Sequence, residues 1–455
     1  MQLTRRTVLI GGLAGAATLA LPGCGNKGSG SSGDGTTISV MGLPPTTNAA
    51  TRQAFLDQVA AFEKVNPTIH LEPSDAPWDV KTFAAKLAGG KAEAVLRIPL
   101  TEPPGLIDRQ QVADITAEAK ALPAFADFDP KVMATLTRDG KVYGLPESMY
   151  SLGLIYNRTL FKQAGLDPDN PPKTWDEFRA AAKQIAEKTG QVGYAPITTN
   201  NSGGWHLTAM TYANGGVMQK TVDGKPVAAF NDAPTLQALQ LLKAMRFEDN
   251  SLGTNMLRKS EDVAPDFAAG KVGMWINGTT TYNSFITRFG GKAVDFGASV
   301  LPQGAGNATL LGGTVEQITA RADDAQRAAA IKWIDYEYVR PNFDPDAAAA
   351  VAKAQAADKL PVGIPLVPVF GQAIVDKVNA AIAPYVNVPV AQFKPYVEGT
   401  KTLKFVPEPA VAAQDVYAAL DPVVQAVLTK PDADPAKLLA AASDQVDAIL
   451  QQQQS

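Results

Sequence analysis

The chain has 455 residues and a formal net charge of −4, from 41 basic and 45 acidic side chains, with one cysteine and two histidines. That length exceeds one ordinary domain and calls for two lobes. The absence of any basic run argues against nucleic acid as a partner, and a lone cysteine excludes a disulfide framework. His70 and His206 lie far apart with no second ligand at motif spacing, which argues against a metal centre and a histidine-based triad.

The first residues read as an export signal. Arg5-Arg6 precede an uncharged stretch, residues 7–23, that is too short to span a bilayer comfortably, and Cys24 follows it. "LPGC" resembles a lipobox, with Pro22 where a small residue is usual, and "TRRTVL" resembles a twin-arginine signal, with Val8 where Phe is usual. Residues 1–23 are therefore expected to be removed, leaving Cys24 acylated as a lipid anchor. Residues 24–37, with their "GSGSSGDG" core, form a flexible tether with nothing to bury. Without Arg5 and Arg6 the net charge becomes −6. No later apolar run approaches about 20 residues, so the expectation is a body held by lipid at the outer face of the cytoplasmic membrane.

Beyond the tether, "TISVMG" reads as a strand. In "RQAFLDQVAAFEKVNP", Phe55, Leu56, Val59 and Phe62 fall at helical spacing before Asn66-Pro67 ends the run. "TIHLEP" is a second strand, "DVKTFAAKLAGG" a second helix closed by Gly89-Gly90, and "AVLRIPL" a third strand. This alternation implies a parallel sheet with right-handed crossovers. Further along, "KTWDEFRAAAKQIAEKTG" opens with a capping box, Thr174 and Glu177. "DAPTLQALQLLKAMRF" carries Leu236, Leu239, Leu242 and Met245 on one side, and "DPAKLLAAASDQVDAIL" opens with Asp434 as cap and Pro435 in the first turn. The helices outnumber what one sheet can carry, so two α/β lobes are expected. Ligands of such folds bind outside the carboxyl ends of strands, and two lobes make a cleft there.

The loops after strands are where chemistry would sit. There is no G-x-S-x-G elbow and no G-x-x-x-x-G-K-[ST] phosphate loop, and Gly89-Gly90-Lys91 is better explained as a helix end. No cofactor is called for. Glu102, Glu147 and Glu316 sit in loop-like contexts and keep a glycoside-cleaving enzyme open as an alternative, since two carboxyl groups suffice for that reaction. Trp78, Tyr150, Trp205 and Trp275 are flanked by Gly, Pro, Ser, Asn or Thr, which suits the C–H face and hydroxyl rim of a sugar. For Trp275, at the end of "FAAGKVGMW", a place in the core is the competing reading. Trp175 and Trp333 lie within helical patterns and read as structural.

"DGKVYGLPESMYSLGLIYNRTLFKQAGLDPDNPPKTWDEF", residues 139–178, carries in order G-K-x-Y-G-x-P, Y-N-x-x-L-F-x-x-A-G-L and P-x-T-W-D-E-F. With "FAAGKVGMW" and "VLPQG…LGGTVEQI", these signatures resemble the extracellular solute-binding proteins of ABC importers, the group that includes the sugar-binding, maltose-binding-like proteins. The usual P-D-V after the second helix is replaced around Glu93-Ala94. The resemblance implies a two-lobed periplasmic-binding-protein-like clamp of type II, each lobe a sheet flanked by helices. It implies crossings near residues 150–154, 298–302 and 338–341, with lobe I at 38–150 plus 303–338 and lobe II at 151–302 plus 339–455. It further implies a monomer that binds a carbohydrate (a di- or oligosaccharide) without catalysis and delivers it to permease subunits with an associated ATPase. The site residues it implies are Trp78, Tyr150, Trp205 and Trp275 for stacking, Asn277, backbone approach at Gly312 and Gly313, and Glu316 as hydroxyl acceptor. Glu102, Thr46 and Thr47 join them as polar contacts, and His206 is either a contact or a surface residue. A glycerophosphodiester or polyamine is the alternative ligand on the same fold. The anionic ligand would call on Arg97 or Arg258, the polyamine on cleft acids around aromatics.

Overall fold

The computed structural model describes residues 35–452; the expected signal, Cys24 and most of the tether lie outside the described residues. In chain order the strands are β1 (Thr36–Met41), β2 (Ile69–Ser74), β3 (Val95–Pro99), β4 (Thr137–Arg138), β5 (Lys141–Val142), β6 (Leu145–Ser151), β7 (Gly153–Asn157), β8 (Val192–Tyr194), β9 (Gln219–Val222), β10 (Lys225–Ala228), β11 (Val272–Asn277), β12 (Phe296–Val300), β13 (Ala308–Ile318) and β14 (Lys404–Pro407). β4 pairs with β5 and β9 with β10 as short hairpins.

The first sheet runs β14-β13-β3-β1-β2, with β6 also on β13. β1 and β2 are parallel, as the strand-helix-strand alternation requires, while β13 runs antiparallel to both β3 and β6. Helix Ala49–Val65 buries Phe55, Val59 and Phe62, three residues of the expected stripe. Trp333 is fully buried against it, meeting the Phe55 and Phe62 rings edge-on at 5.8 and 5.3 Å. Where P-D-V was expected, Glu93 is buried instead and takes Lys86 Nζ at 2.7 Å.

The second sheet runs β12-β7-β11-β8 and is covered on both faces. Strand alternation sends Met274 and Ile276 toward the helices Trp175–Thr189, Ser202–Ala213 and Ala413–Thr429, and Trp275 toward Phe267, Phe285 and Phe296. The Thr174–Glu177 capping box is present. Asp434 caps helix Pro435–Gln452 through the Ala436 and Lys437 amides. In helix Ala233–Phe247 the buried stripe is Thr235, Ala238, Leu239, Leu242 and Met245; Leu236 is only half-buried, because the contact face is turned by one position.

A single residue, Leu152, separates β6 of the first sheet from β7 of the second, and residues 301–307 join β12 to β13. After helix Asp324–Ile334 comes a π-helical turn, Asp335–Val339, and Val339, Val369 and Phe370 still belong to the core of the first body. β14 then returns to pair in parallel with β13 before the chain enters helix Ala413–Thr429 on the second body. This return positions the site.

Candidate functional site

The loop after β3, the end of β6, the start of helix Ser202–Ala213 and the segment after β14 converge on one place. Tyr150, near the end of β6, lies opposite Gly312 of β13. A Cβ at Gly312 would come within 2.6 Å of the Tyr150 ring, so the glycine is what lets the ring lie across the strand. Trp205 meets Tyr150 edge-to-face, with centroids 6.3 Å apart and an interplanar angle of 83°.

Trp205 owes its position to "NNSGGW". Asn200 and Asn201 both adopt left-handed backbone (φ 56° and 65°), a conformation Asn tolerates better than most residues. The buried Asp421 carboxylate accepts from the Asn201 and Gly204 amides at 2.8 and 3.0 Å, capping the helix from a neighbouring helix. A Cβ on Gly204 would sit 2.4 Å from the Tyr417 carbonyl, so this glycine sets the close approach of helix Ala413–Thr429.

That approach brings in Glu408, which the sequence reading missed. Its only sequence signal is a place just after a strand, between Pro407 and Pro409. Tyr417 Oη donates to Glu408 Oε1 at 3.2 Å, and Oε2 is enclosed without a hydrogen-bond partner among the described residues. Burial pushes the Glu408 carboxyl up to about 8, with Tyr417 and the nearby Trp205 indole opposing and Glu102 adding to the rise. Glu102 is itself pushed up to about 7 by burial, opposed by Arg109 and reinforced by Asp415. The walls touch beside it, where Gln414 Nε2 donates to Thr101 Oγ1 at 3.0 Å.

The other expected residues fall elsewhere. Thr46 and Thr47 are exposed in the turn after β1. Trp78, in the loop after β2, is half-buried, with an enclosed indole N–H that has no partner among the described residues. Asn277 ends β11 and its Oδ1 accepts from the Gly278 amide at 2.8 Å. Trp275 is 2% exposed and packs against Phe267, a core residue rather than an open wall, because alternation along β11 turns it into the apolar layer. Gly313 makes room for Met149, whose Sδ would lie 2.5 Å from an added Cβ, rather than for a ligand. His206 is 4% exposed and pushed down to about 3 by burial, so it is a neutral interior group and not a surface one.

Glu316 has no exposed surface. It faces Arg97 across the β3–β13 pair, its Oε1 3.8 Å from Nε, while Arg97 grips Glu147 bidentately at 2.6 and 2.6 Å. Burial and Glu147 hold the Glu316 carboxyl well above the usual range, with Arg97 opposing. This cluster engages Glu147 and Glu316, two of the three carboxylates on which the glycoside-cleaving alternative relied, and it takes Arg97 out of contention as an anion receptor.

The fold and this junction define a solute-binding clamp. Residues 44–337, more than half of the chain, match the family described as bacterial extracellular solute-binding protein, and the chain belongs to that family. A binding protein of Brucella abortus (strain 2308) is 28% identical over 303 residues, spanning 64% of this chain and 69% of that protein. The sn-glycerol-3-phosphate-binding periplasmic protein UgpB of Yersinia pseudotuberculosis serotype I (strain IP32953) is 29% identical over 207 residues, spanning 42% of this chain and 46% of that protein. In fold, the chain is similar to an ABC transporter solute-binding protein of Thermotoga lettingae bound with alpha-D-tagatose, with a TM-score of 0.72 and 21% identity, covering 91% of this chain and 100% of that one. The expected two-lobed α/β clamp is thus the observed fold. Among the described residues no helix is long and apolar enough to cross a membrane.

Proposed function

We propose that the chain captures a carbohydrate, a di- or oligosaccharide, between its two lobes and delivers it to the permease of an ABC importer, acting as a monomer tethered through lipid on Cys24. The lobe boundaries proposed from the sequence are residues 38–150 plus 303–338 for lobe I and 151–302 plus 339–455 for lobe II, with β14 and the Val369–Phe370 segment of the latter packed on the first sheet's body. The observation that carries the reading is the Tyr150–Trp205 pair beside Glu102 and Glu408. Aromatic faces cover the apolar side of a sugar, and carboxyl groups bind its hydroxyls. Asn277, Trp78, Thr46 and Thr47, which lie outside that junction, are proposed as contacts for a longer solute.

The relatives bind solutes of more than one charge, and the cleft chemistry discriminates among them. The acids Glu102, Glu408 and Asp415 gather where Arg109 is the cation acting on Glu102 and Asp415. Such a site, with carboxyls that burial keeps largely protonated and its arginine engaged with acids, offers hydrogen bonds rather than a charge partner for phosphate and favours a neutral polyhydroxylated molecule.

The test is the melting temperature of the full chain against mono-, di- and oligosaccharides, polyols and glycerol phosphates. A ligand that binds only the folded state raises it by mass action. A shift with a sugar that is recovered uncleaved is the expected outcome. A shift confined to glycerol phosphates would overturn the carbohydrate assignment, and consumption of the sugar would overturn the binding-only role.

A further inference from the structure

A pocket lies at the opposite end of the first sheet from Glu102. β3 and β13 pair with Val95 opposite Ile318, and the pocket opens beyond that end, where the chain enters β3 and leaves β13. It is a cavity of about 400 Å³ whose polar lining is Ser39, Gln110, Gln111, Thr319, Arg321 and Gln326, with alanines between them. Among the described residues that line it, Arg321 alone carries a charge. Its guanidinium makes no hydrogen bond or ion pair among the described residues. It rests on Gly90, which adopts φ 67° and where a Cβ would overlap Nη1, so the glycine provides the seat that holds the guanidinium there. The acceptors of its neighbours are already engaged. Ser39 Oγ accepts from the Ala94 amide at 3.0 Å, Gln111 Oε1 from Arg109 Nε at 2.9 Å, and Gln326 Oε1 from the Asp323 amide at 3.1 Å. What remains for a ligand is the Ser39 hydroxyl proton and the Gln111 Nε2 hydrogens, donors beside an unpaired guanidinium. The neighbouring acids are held elsewhere, Glu93 by Lys86 Nζ at 2.7 Å and Asp323 by the Gln326 amide at 2.8 Å.

We infer that this pocket is an anion site, taking the phosphate or carboxylate group of a small polar molecule. A planar guanidinium fork matches two oxygens of such a group, and the hydroxyl and amide donors take what the fork leaves. The cleft gathers acids, whereas no acid lines this pocket among the described residues. The two ends of the first sheet therefore suit molecules of different charge. Nothing about this second site depends on what the cleft holds.

Isothermal titration of the full chain with inorganic phosphate and with citrate tests this, in Tris chloride with ionic strength held constant by sodium chloride. At least one of the two anions binds, at one equivalent per chain, and the one that does tells phosphate from carboxylate. Arg321→Gln weakens that binding by about tenfold or more, the loss of a charge-assisted hydrogen-bonded pair, while the variant keeps its melting temperature. Gly90→Ala, which retains the charge but fills the seat, weakens it as well. Failure of both anions to bind, or an affinity unchanged in either variant, overturns the inference. So does competition between the anion and a sugar bound in the cleft, because the anion would then occupy the cleft instead. A sugar that binds native and Arg321→Gln chains equally while no anion binds removes this site and leaves carbohydrate capture standing. An anion whose binding is lost with Arg321, while no sugar binds, upholds the site and removes carbohydrate capture.

Discussion

Trp275 and Glu316 show what a residue's type conveys and what only its neighbours decide. Both stood beside glycine, asparagine or threonine in the sequence, as Trp205 does, yet strand pairing turned them inward: Trp275 into the apolar layer and Glu316 against Arg97. Tyr150 and Trp205 came together as a pair because they end a strand and begin a helix, where a side chain can face the gap. Glu316 carries a pH consequence. Its folded pKa, like those of Glu337 and Glu408 at about 8, is raised above the ordinary 4.5. Such a group favours the folded state fully below its unfolded pKa and loses that contribution as pH rises toward the folded value. The melting temperature of the unliganded chain therefore falls between pH 5 and pH 8. Glu316→Gln flattens that fall, as thermal denaturation across the range would show; a slope unchanged by the substitution would mean Glu316 ionises normally.

Helix Ser202–Ala213 links sequence to site at the next scale. Its boundaries were not legible: Asn201 in left-handed backbone makes no side-chain cap, and the cap comes from Asp421, more than two hundred residues away. Helices that carry their own signals were legible, as with the Thr174–Glu177 box and the Asp434-Pro435 start. A cap supplied in trans leaves no local pattern, and neither does β14, whose pairing with β13 brings Glu408 to the cleft. Asp421→Ala should cost about 1–2 kcal/mol of stability, the range for losing a helix cap. It should also weaken solute binding, because the first turn that carries Trp205 loosens. Denaturant unfolding alongside titration checks both, and a stability loss with unaltered affinity would detach Trp205 from the site.

At the scale of the whole chain, the alternation of strands and helices and the ordered signatures of residues 139–178 sufficed for the two-sheet α/β plan. They could not show how far the walls approach. In the structure Thr101 of one wall already meets Gln414 of the other at 3.0 Å, beside acids contributed from both sides. In the proposed capture, a solute seated there contacts both walls and stabilises the closed arrangement by contacts that the open one lacks. The most direct measurement is calorimetric titration of the best-binding solute into the native chain, Trp205→Ala and Glu102→Gln, one variant on each wall. Each substitution is expected to weaken binding by about tenfold or more, as for buried anchor residues, with the unliganded melting temperature nearly unchanged. Native affinity in either variant would place the solute outside the cleft and contradict the account.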